Sequence, residues 1–189
     1  EILIGLVGSE MCIRDRVTER SKKLGGTGED STLVNDEMVN GLVAVEGPGI
    51  SLTLADPIAA GSDGASTPRE SSGMQIRVVT DADLRLLVRL LWQAGAEGIA
   101  INGNRLGVQT SVRKAGSNIL VGVTAVTSPY TIQAIGDRDT LASAVSKSTQ
   151  RSLYDSFAQA GIYPQVNKES SITLEAAPSG ELSYAKRSD

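Results

Sequence analysis

The chain has 189 residues, of which 40% are hydrophobic but only 3% aromatic, so one domain with a mainly aliphatic core accounts for its size. A net charge of −4 argues against nucleic-acid binding, which needs a basic surface. With no histidine and a single cysteine, the usual zinc sites and histidine-dependent hydrolytic triads lack their parts, and we expect neither a metal nor another cofactor.

The first sixteen residues are best kept apart from the fold. Residues 7–16 resemble a peptide that recurs at the ends of translated sequence fragments, where adapter bases were read as codons. We therefore predict that residues 1–16 are a non-native translation artefact, the alternative being an ordinary surface strand. Because Cys12 lies within this stretch, cysteine usage does not indicate the cellular compartment.

The rest of the chain divides by composition. Residues 17–40 are polar and interrupted by glycines, which predicts the remnant of an N-terminal linker or coil. Residues 41–177 are predicted to form a single α+β domain. Within it, residues 56–74 are rich in Ala, Gly, Ser, Thr and Pro and are predicted to be a long mobile loop. Residues 178–189 form a polar tail.

Two apolar runs, at residues 42–45 and 50–54, open the predicted domain as strands. They are separated by residues 46–49, which contain a proline between two glycines. Proline cannot donate to a strand ladder and glycine bends easily, so we interpret the interruption as a bulge or tight bend at a sheet edge.

A helix is predicted to begin at Thr80, whose hydroxyl can cap the backbone N–H of Asp83, and to end near Gly95. The two carboxylates at its start fit the helix dipole better than they fit a metal or acid–base pair. Apolar residues follow the helical period as one stripe, which we predict to be core. The stripe consists of Leu84, Leu87, Val88, Leu91 and Trp92.

Strands and helices alternate over the second half of the sequence. We predict a strand at residues 98–101, a hairpin around residue 115 and a further strand at residues 130–135. One kinked helix or two helices follow from Asp137 to Gly161, and a last strand is predicted at residues 166–174. This order predicts an α+β fold of the ferredoxin-like α/β plait type, with a mainly antiparallel sheet and two helices packed on one face.

Four blocks carry a resemblance to a known family: residues 81–84, 91–97, 101–106 and 129–137. In this order they resemble bacterial domain-of-unknown-function family 881, the YlxW-like, division-associated proteins, over roughly residues 40–175. The resemblance implies an α/β plait displayed on the extracytoplasmic side of the cell membrane. It also implies a single-pass tether through an N-terminal segment that this fragment lacks.

Four polar residues lie at predicted strand ends and turns within or near these blocks: Asn102, Arg105, Arg113 and Asp137. If they converge on one rim, the two guanidinium groups could bind a carboxylate, a phosphate or a sugar acid through paired hydrogen bonds. The favoured interpretation is that the arginines instead pair with Asp137, Glu97 or turn carbonyls and stabilise the fold.

Two functions remain open. The first is a non-catalytic extracytoplasmic interaction domain of a membrane-tethered bacterial protein linked to cell division or envelope assembly. It would bind a protein partner in the cell envelope, could form a homo-oligomer, and would expose an apolar patch or a free sheet edge. The alternative is a small anionic-ligand sensor or cryptic enzyme, with both arginines pointing into a concave site. We favour the first and expect no enzymatic activity.

Overall fold

The computed structural model describes residues 29–57 and 78–178. The predicted artefact at 1–16, all but the first two residues of the predicted loop at 56–74, and all but the first residue of the tail at 178–189 lie outside the described residues. Contacts divide the chain into two units, Glu1–Met38 and Val39–Asp189. Helix α1 (Glu29–Val39) is therefore described by itself, and it falls within the predicted linker or coil at 17–40.

Within residues 39–57 and 78–178 the second unit contains two antiparallel sheets and three helices, which confirms a mixed α/β fold. The five-stranded sheet has the order β3-β2-β7-β1-β8, and the three-stranded sheet has the order β4-β5-β6. The strands are β1 (Val45–Leu54), β2 (Gly98–Ile101), β3 (Asn104–Arg105), β4 (Val112–Ala115), β5 (Asn118–Val121), β6 (Thr124–Val126), β7 (Tyr130–Ile135) and β8 (Gln165–Leu174). The helices are α2 (Asp81–Gln93), α3 (Arg138–Ala144) and α4 (Arg151–Gln159). No helix in the described ranges combines the length and the apolar run that crossing a membrane requires.

The interruption predicted at residues 46–49 is a bulge within one continuous strand. Gly47 pairs with Ile172 and Gly49 pairs with Glu169, so two residues of β8 face the single residue Pro48 of β1. Proline has no N–H for the ladder, which explains why the register shifts at this point. The expected position at a sheet edge was wrong, because β1 lies between β7 and β8.

Helix α2 begins where the sequence predicts. The Thr80 hydroxyl accepts the backbone N–H of Asp83 at 3.2 Å, and the Asp83 carboxylate accepts the N–H of Thr80 at 3.0 Å, which together form a capping box. Leu84, Leu87 and Leu91 are buried against the sheet, as predicted. Trp92 is 43% exposed, so its assignment to the core was wrong.

One face of the large sheet carries the main core. Alternate residues of β1, β2 and β7 pack in one cluster with buried residues of α2, α3 and α4, because successive side chains of a strand point to opposite faces. The helical contributions include Leu141 of α3 and Phe157 of α4. The intervening strand positions form a smaller cluster on the other face, consisting of Ala100, Ile135, Ile172 and Leu174 with Val45 beside them.

The region between β3 and β7 forms a separate small sheet. The hairpin predicted around residue 115 is present as β4 and β5, but it joins β6 in a sheet of its own. Val112, Ile119, Val121 and Val126 tie this small sheet into the main core. The polar stretch after α3 resolves into a break, so α3 and α4 are two separate helices.

Candidate functional site

A groove runs along helix α2 on the side next to its core stripe. Of the five α2 residues in its described lining, four form one wall, namely Arg85, Val88, Arg89 and Trp92, and residues between Leu106 and Val112 form the other. We call this the α2 groove. It has a volume of about 780 Å³ and is open to solvent along its length. Its volume is within the range of small-molecule pockets, but a site that encloses little of its ligand suits a segment of a partner better than a small ligand.

The helical spacing explains why these four side chains share one wall. Val88, Arg89 and Trp92 follow Arg85 by three, four and seven positions, so they repeat on one side of the helix. The buried stripe Leu84, Leu87 and Leu91 lies one residue earlier in each turn. Helix α2 therefore has two adjacent stripes, an apolar one that faces the core and a mixed apolar and basic one that faces the groove.

The opposite wall is a loop that is held by several backbone hydrogen bonds. Leu106 donates its N–H to the carbonyl of Ile99 at 2.8 Å, and Gly107 donates to the Thr110 hydroxyl at 3.0 Å while accepting the Thr110 N–H at 3.1 Å. Further along, Gly122 donates to the carbonyl of Ser111 at 2.8 Å. These bonds fix the loop, so the groove is preformed.

Large apolar side chains are exposed at this groove. Trp92 is 43% exposed on the helix wall, and Val108 is 82% exposed on the loop wall. Leaving such groups in water costs roughly 25 cal/mol for each Å² that a partner could cover. Tryptophan and arginine are also the residues most enriched among side chains that dominate binding energy at protein interfaces.

The charged groups of the groove are two arginines in different states. Arg85 forms an ion pair with Asp81 one turn earlier, at 3.2 Å. Arg89 is exposed, and no carboxylate among the residues of the described ranges lies within ion-pair distance of it. The groove therefore offers one guanidinium that is already paired and one that is available to a partner.

The structure places Asn102, one of the four predicted site residues, at the turn between β2 and β3, with a φ of 47°. Its side-chain amide donates to the carbonyls of Thr127 at 3.0 Å and Pro129 at 3.2 Å, and its side-chain oxygen accepts the N–H of Thr131 at 2.7 Å. These three bonds connect the turn to the segment that leads into β7. The side chain thus already has a structural role.

We expect Asn102→Ala to lower the free energy of unfolding by about 1–2 kcal/mol, because it removes three hydrogen bonds whose backbone partners are then left to water. Urea denaturation followed by circular dichroism measures this loss. The exposed Asn167 of β8 provides the matched change, and Asn167→Ala should alter stability by less than about 0.5 kcal/mol. Equal stabilities for the two variants would contradict the structural role.

The two predicted arginines lie in different surroundings. Arg105 is only 3% exposed, and burial lowers the pKa of its guanidinium from the usual value. Its side chain passes close to Gly98, where an added Cβ would collide with the guanidinium group, and lies at ordinary contact distance from an added Cβ at Gly41. Arg113 is exposed on β4, opposite Leu120 of β5. Neither is among the described lining residues of the α2 groove.

Asp137 caps helix α3 by accepting the N–H of Thr140 at 2.8 Å, and the hydrogen bonds from Thr140 hold the pKa of its carboxyl below the usual value. It follows Ile135, which pairs with Gly98 at the beginning of β2, whereas Asn102 follows the end of β2. The structure therefore sets Asp137 and Asn102 at opposite ends of the β2–β7 pair and does not bring them together. Ligand binding by the four residues stays a prediction.

Sequence reasoning missed the α2 groove because a helical stripe does not reveal which of its members faces the core. The width of the predicted apolar stripe was the available signal. With Val88 and Trp92 included, the stripe was broader than one buried helix face needs. The loop wall left no local pattern, because its position depends on hydrogen bonds between Leu106 and Ile99 and between Gly122 and Ser111, which lie on different strands or turns.

Comparison with known proteins identifies the family. The model described as "Bacterial protein of unknown function (DUF881)" matches residues 32–186. UPF0749 protein Rv1823 of Mycobacterium tuberculosis H37Rv is 34% identical over 147 residues, covering 76% of this chain and 47% of that protein. UPF0749 protein YlxW of Bacillus subtilis strain 168 is 27% identical over 138 residues, covering 73% and 55% respectively. The chain thus spans about half the length of the curated relatives it matches.

A solved structure agrees with this assignment. It is described as the crystal structure of an uncharacterized conserved protein from Mycobacterium tuberculosis, and it is similar to this chain with a TM-score of 0.64 and 26% identity. The alignment covers 83% of this chain and 99% of that one. The resemblance carried by the four sequence blocks is therefore confirmed, and the chain belongs to the DUF881 family of bacterial proteins.

Proposed function

We propose that this chain is a non-catalytic interaction domain that binds a protein partner in the bacterial cell envelope through the α2 groove. The observation that carries the proposal is the exposed Trp92, which lines a preformed open groove together with Val88 and Val108. An apolar surface that a folded domain keeps exposed typically marks an interaction site. The hydrogen-bonded loop wall further reduces the entropy that binding would cost.

The residue content supports a non-catalytic role. The chain has no histidine, which is the commonest general base and the usual partner of a serine or cysteine nucleophile. The side chains that line the described α2 groove beside its two arginines are aliphatic, aromatic, amide or hydroxyl, and the carboxylate nearest to Arg85, that of Asp81, is held in an ion pair outside the lining. Such a lining suits recognition.

Location and cellular role form a second layer of the proposal. We infer a domain on the extracytoplasmic side of the cell membrane, attached through an N-terminal membrane segment, in a protein linked to cell division or envelope assembly. This layer rests on the family resemblance alone. The groove and its partner chemistry do not depend on it.

We also infer that the large sheet and its helices constitute a ferredoxin-like α/β plait. Support comes from the order β2-β7-β1-β8, in which the strand before α2 and the strand after it are separated by an antiparallel neighbour. The plait packs helices on one sheet face, and α2, α3 and α4 share the core cluster of one face here.

The geometry gives little support to the alternative function, a sensor or cryptic enzyme that uses a rim of Arg105 and Arg113. Arg105 is buried beside Gly98, and Asn102 and Asp137 lie at opposite ends of their strands. A carboxylate or phosphate ligand would need the two guanidinium groups to be accessible and close together. The groove therefore supports the interaction domain better.

Site-specific crosslinking in living cells tests the proposed function. A photoreactive amino acid is placed at Val108 of the full-length protein, and the same residue at the exposed Lys147 serves as the control. We expect a discrete protein adduct from position 108 alone, and we expect Trp92→Ala to abolish it because the apolar anchor is lost. The same adducts from both positions, or none from position 108, would overturn the proposed function.

A further inference from the structure

The α2 groove has a charge character opposite to that of the whole chain. The net charge is −4, yet the side chains that line the described groove include two arginines and no acidic residue. Asp81 partly neutralises Arg85 from outside the groove, whereas Arg89 is left to solvent. A charge arranged this way contributes to selecting a partner more than to raw affinity.

The apolar side chains of the groove set a second requirement for the partner, in addition to its charge. Val88 and Trp92 are one helical turn apart, and Leu106 and Val108 face them from the loop wall. A partner segment must therefore present an apolar stripe that reaches between the two walls. The same segment must place a carboxylate beside the stripe in order to meet Arg89.

The loop wall also favours one conformation of that segment. An extended peptide gains affinity by adding backbone hydrogen bonds to a free strand edge. In this wall the N–H groups of Leu106, Gly107 and Thr110 are already bonded within the domain. A helix satisfies its own backbone groups, so it can fill the groove with side chains alone.

We propose that the partner inserts an amphipathic helix whose apolar stripe packs on Trp92 and Val88 and whose flanking aspartate or glutamate residues pair with Arg89. The inference rests on the proposed function and specifies the chemistry of its partner. The carboxylates also face a chain of net charge −4, so their attraction is confined to the groove and weakens as salt screens it.

Trp92 gives a direct readout, because it is the single tryptophan of the chain and lines the groove. The probe is a synthetic helix of roughly four turns with leucines at helical spacing and glutamates on the flanks. A second peptide replaces every glutamate by lysine and keeps the leucines. We expect the glutamate peptide to shift Trp92 emission to shorter wavelength and to bind about tenfold more tightly than the lysine peptide.

A charge reversal makes the test specific. Arg89→Glu should invert the preference so that the lysine peptide becomes the tighter ligand, whereas Arg151→Glu on α4, away from the groove, should leave it unchanged. Equal binding of both peptides to the unmodified protein would overturn the acidic partner while the crosslinking result at position 108 could still stand. No emission shift with either peptide, or a shift with vesicles of anionic lipid and none with the glutamate peptide, would overturn the helical partner.

Discussion

Gly49→Ala is expected to lower the free energy of unfolding by about 4 kcal/mol, an exceptional loss for the addition of one methyl group. A Cβ at this position would lie 2.0 Å from the backbone oxygen of Ala134 and 2.9 Å from its carbonyl carbon. Both atoms belong to β7, which is held between β1 and β2, so they cannot move aside. Because the free energy of unfolding of a domain is only about 5–15 kcal/mol, this loss would remove a large part of its stability.

The control separates this collision from ordinary glycine effects. Gly103 has a φ of +76° and nothing within 4 Å of the position of an added Cβ, so Gly103→Ala should cost only about 1 kcal/mol through backbone strain. Urea denaturation midpoints, with the slope of the transition unchanged, measure both losses. If Gly49→Ala proved no more harmful than Gly103→Ala, β1 and β7 could not approach each other as described.

The same glycine shows how much of the fold was predictable. Glycine on both sides of Pro48 indicated a break in the ladder, and the register shift occurs there. The capping box at Thr80 and the cap at Asp137 were equally predictable, because both depend on residues within three positions along the chain. Features of this kind can be predicted because they depend on neighbouring residues along the chain.

What could not be predicted depends on partners that are distant in sequence. The central position of β1 follows from pairing with β7 and β8, which lie far along the chain. The exposure of Trp92 likewise depends on long-range packing, because β4 of the small sheet contacts α2 and still leaves Trp92 43% exposed. Periodicity shows that a side chain suits an apolar surface, but it does not show which surface.

The candidate site residues illustrate the same limit. Asn102, Arg105 and Asp137 were singled out because polar side chains at strand ends often bind ligands. Each instead has a structural setting, as a turn connector, a buried side chain and a helix cap respectively. The distinction needs knowledge of what surrounds each side chain, which a single sequence does not contain.

Arg105→Ala is the second change with a large expected effect, and it decides between a structural and a ligand-binding role for this residue. An alanine Cβ at Gly98 would lie only 2.9 Å from Nη2 and 3.0 Å from Cζ of Arg105, and one at Gly41 would lie 3.7 Å from its Cγ. The long side chain thus occupies space that two glycines leave open. Truncation should create a cavity and lower the free energy of unfolding by about 2–4 kcal/mol.

Two further variants give this prediction its contrast. Arg113→Ala removes an equally charged but exposed side chain, so it should change stability by less than about 0.5 kcal/mol. Arg105→Met keeps most of the volume without the charge, and recovery of stability in this variant would assign the loss to packing. Thermal unfolding of all three provides the measurement. A buried side chain of this size that packs in the core cannot be removed without a loss of stability. If the Arg105→Ala protein unfolded like the parent, the structural role would be contradicted and ligand binding by Arg105 would be favoured.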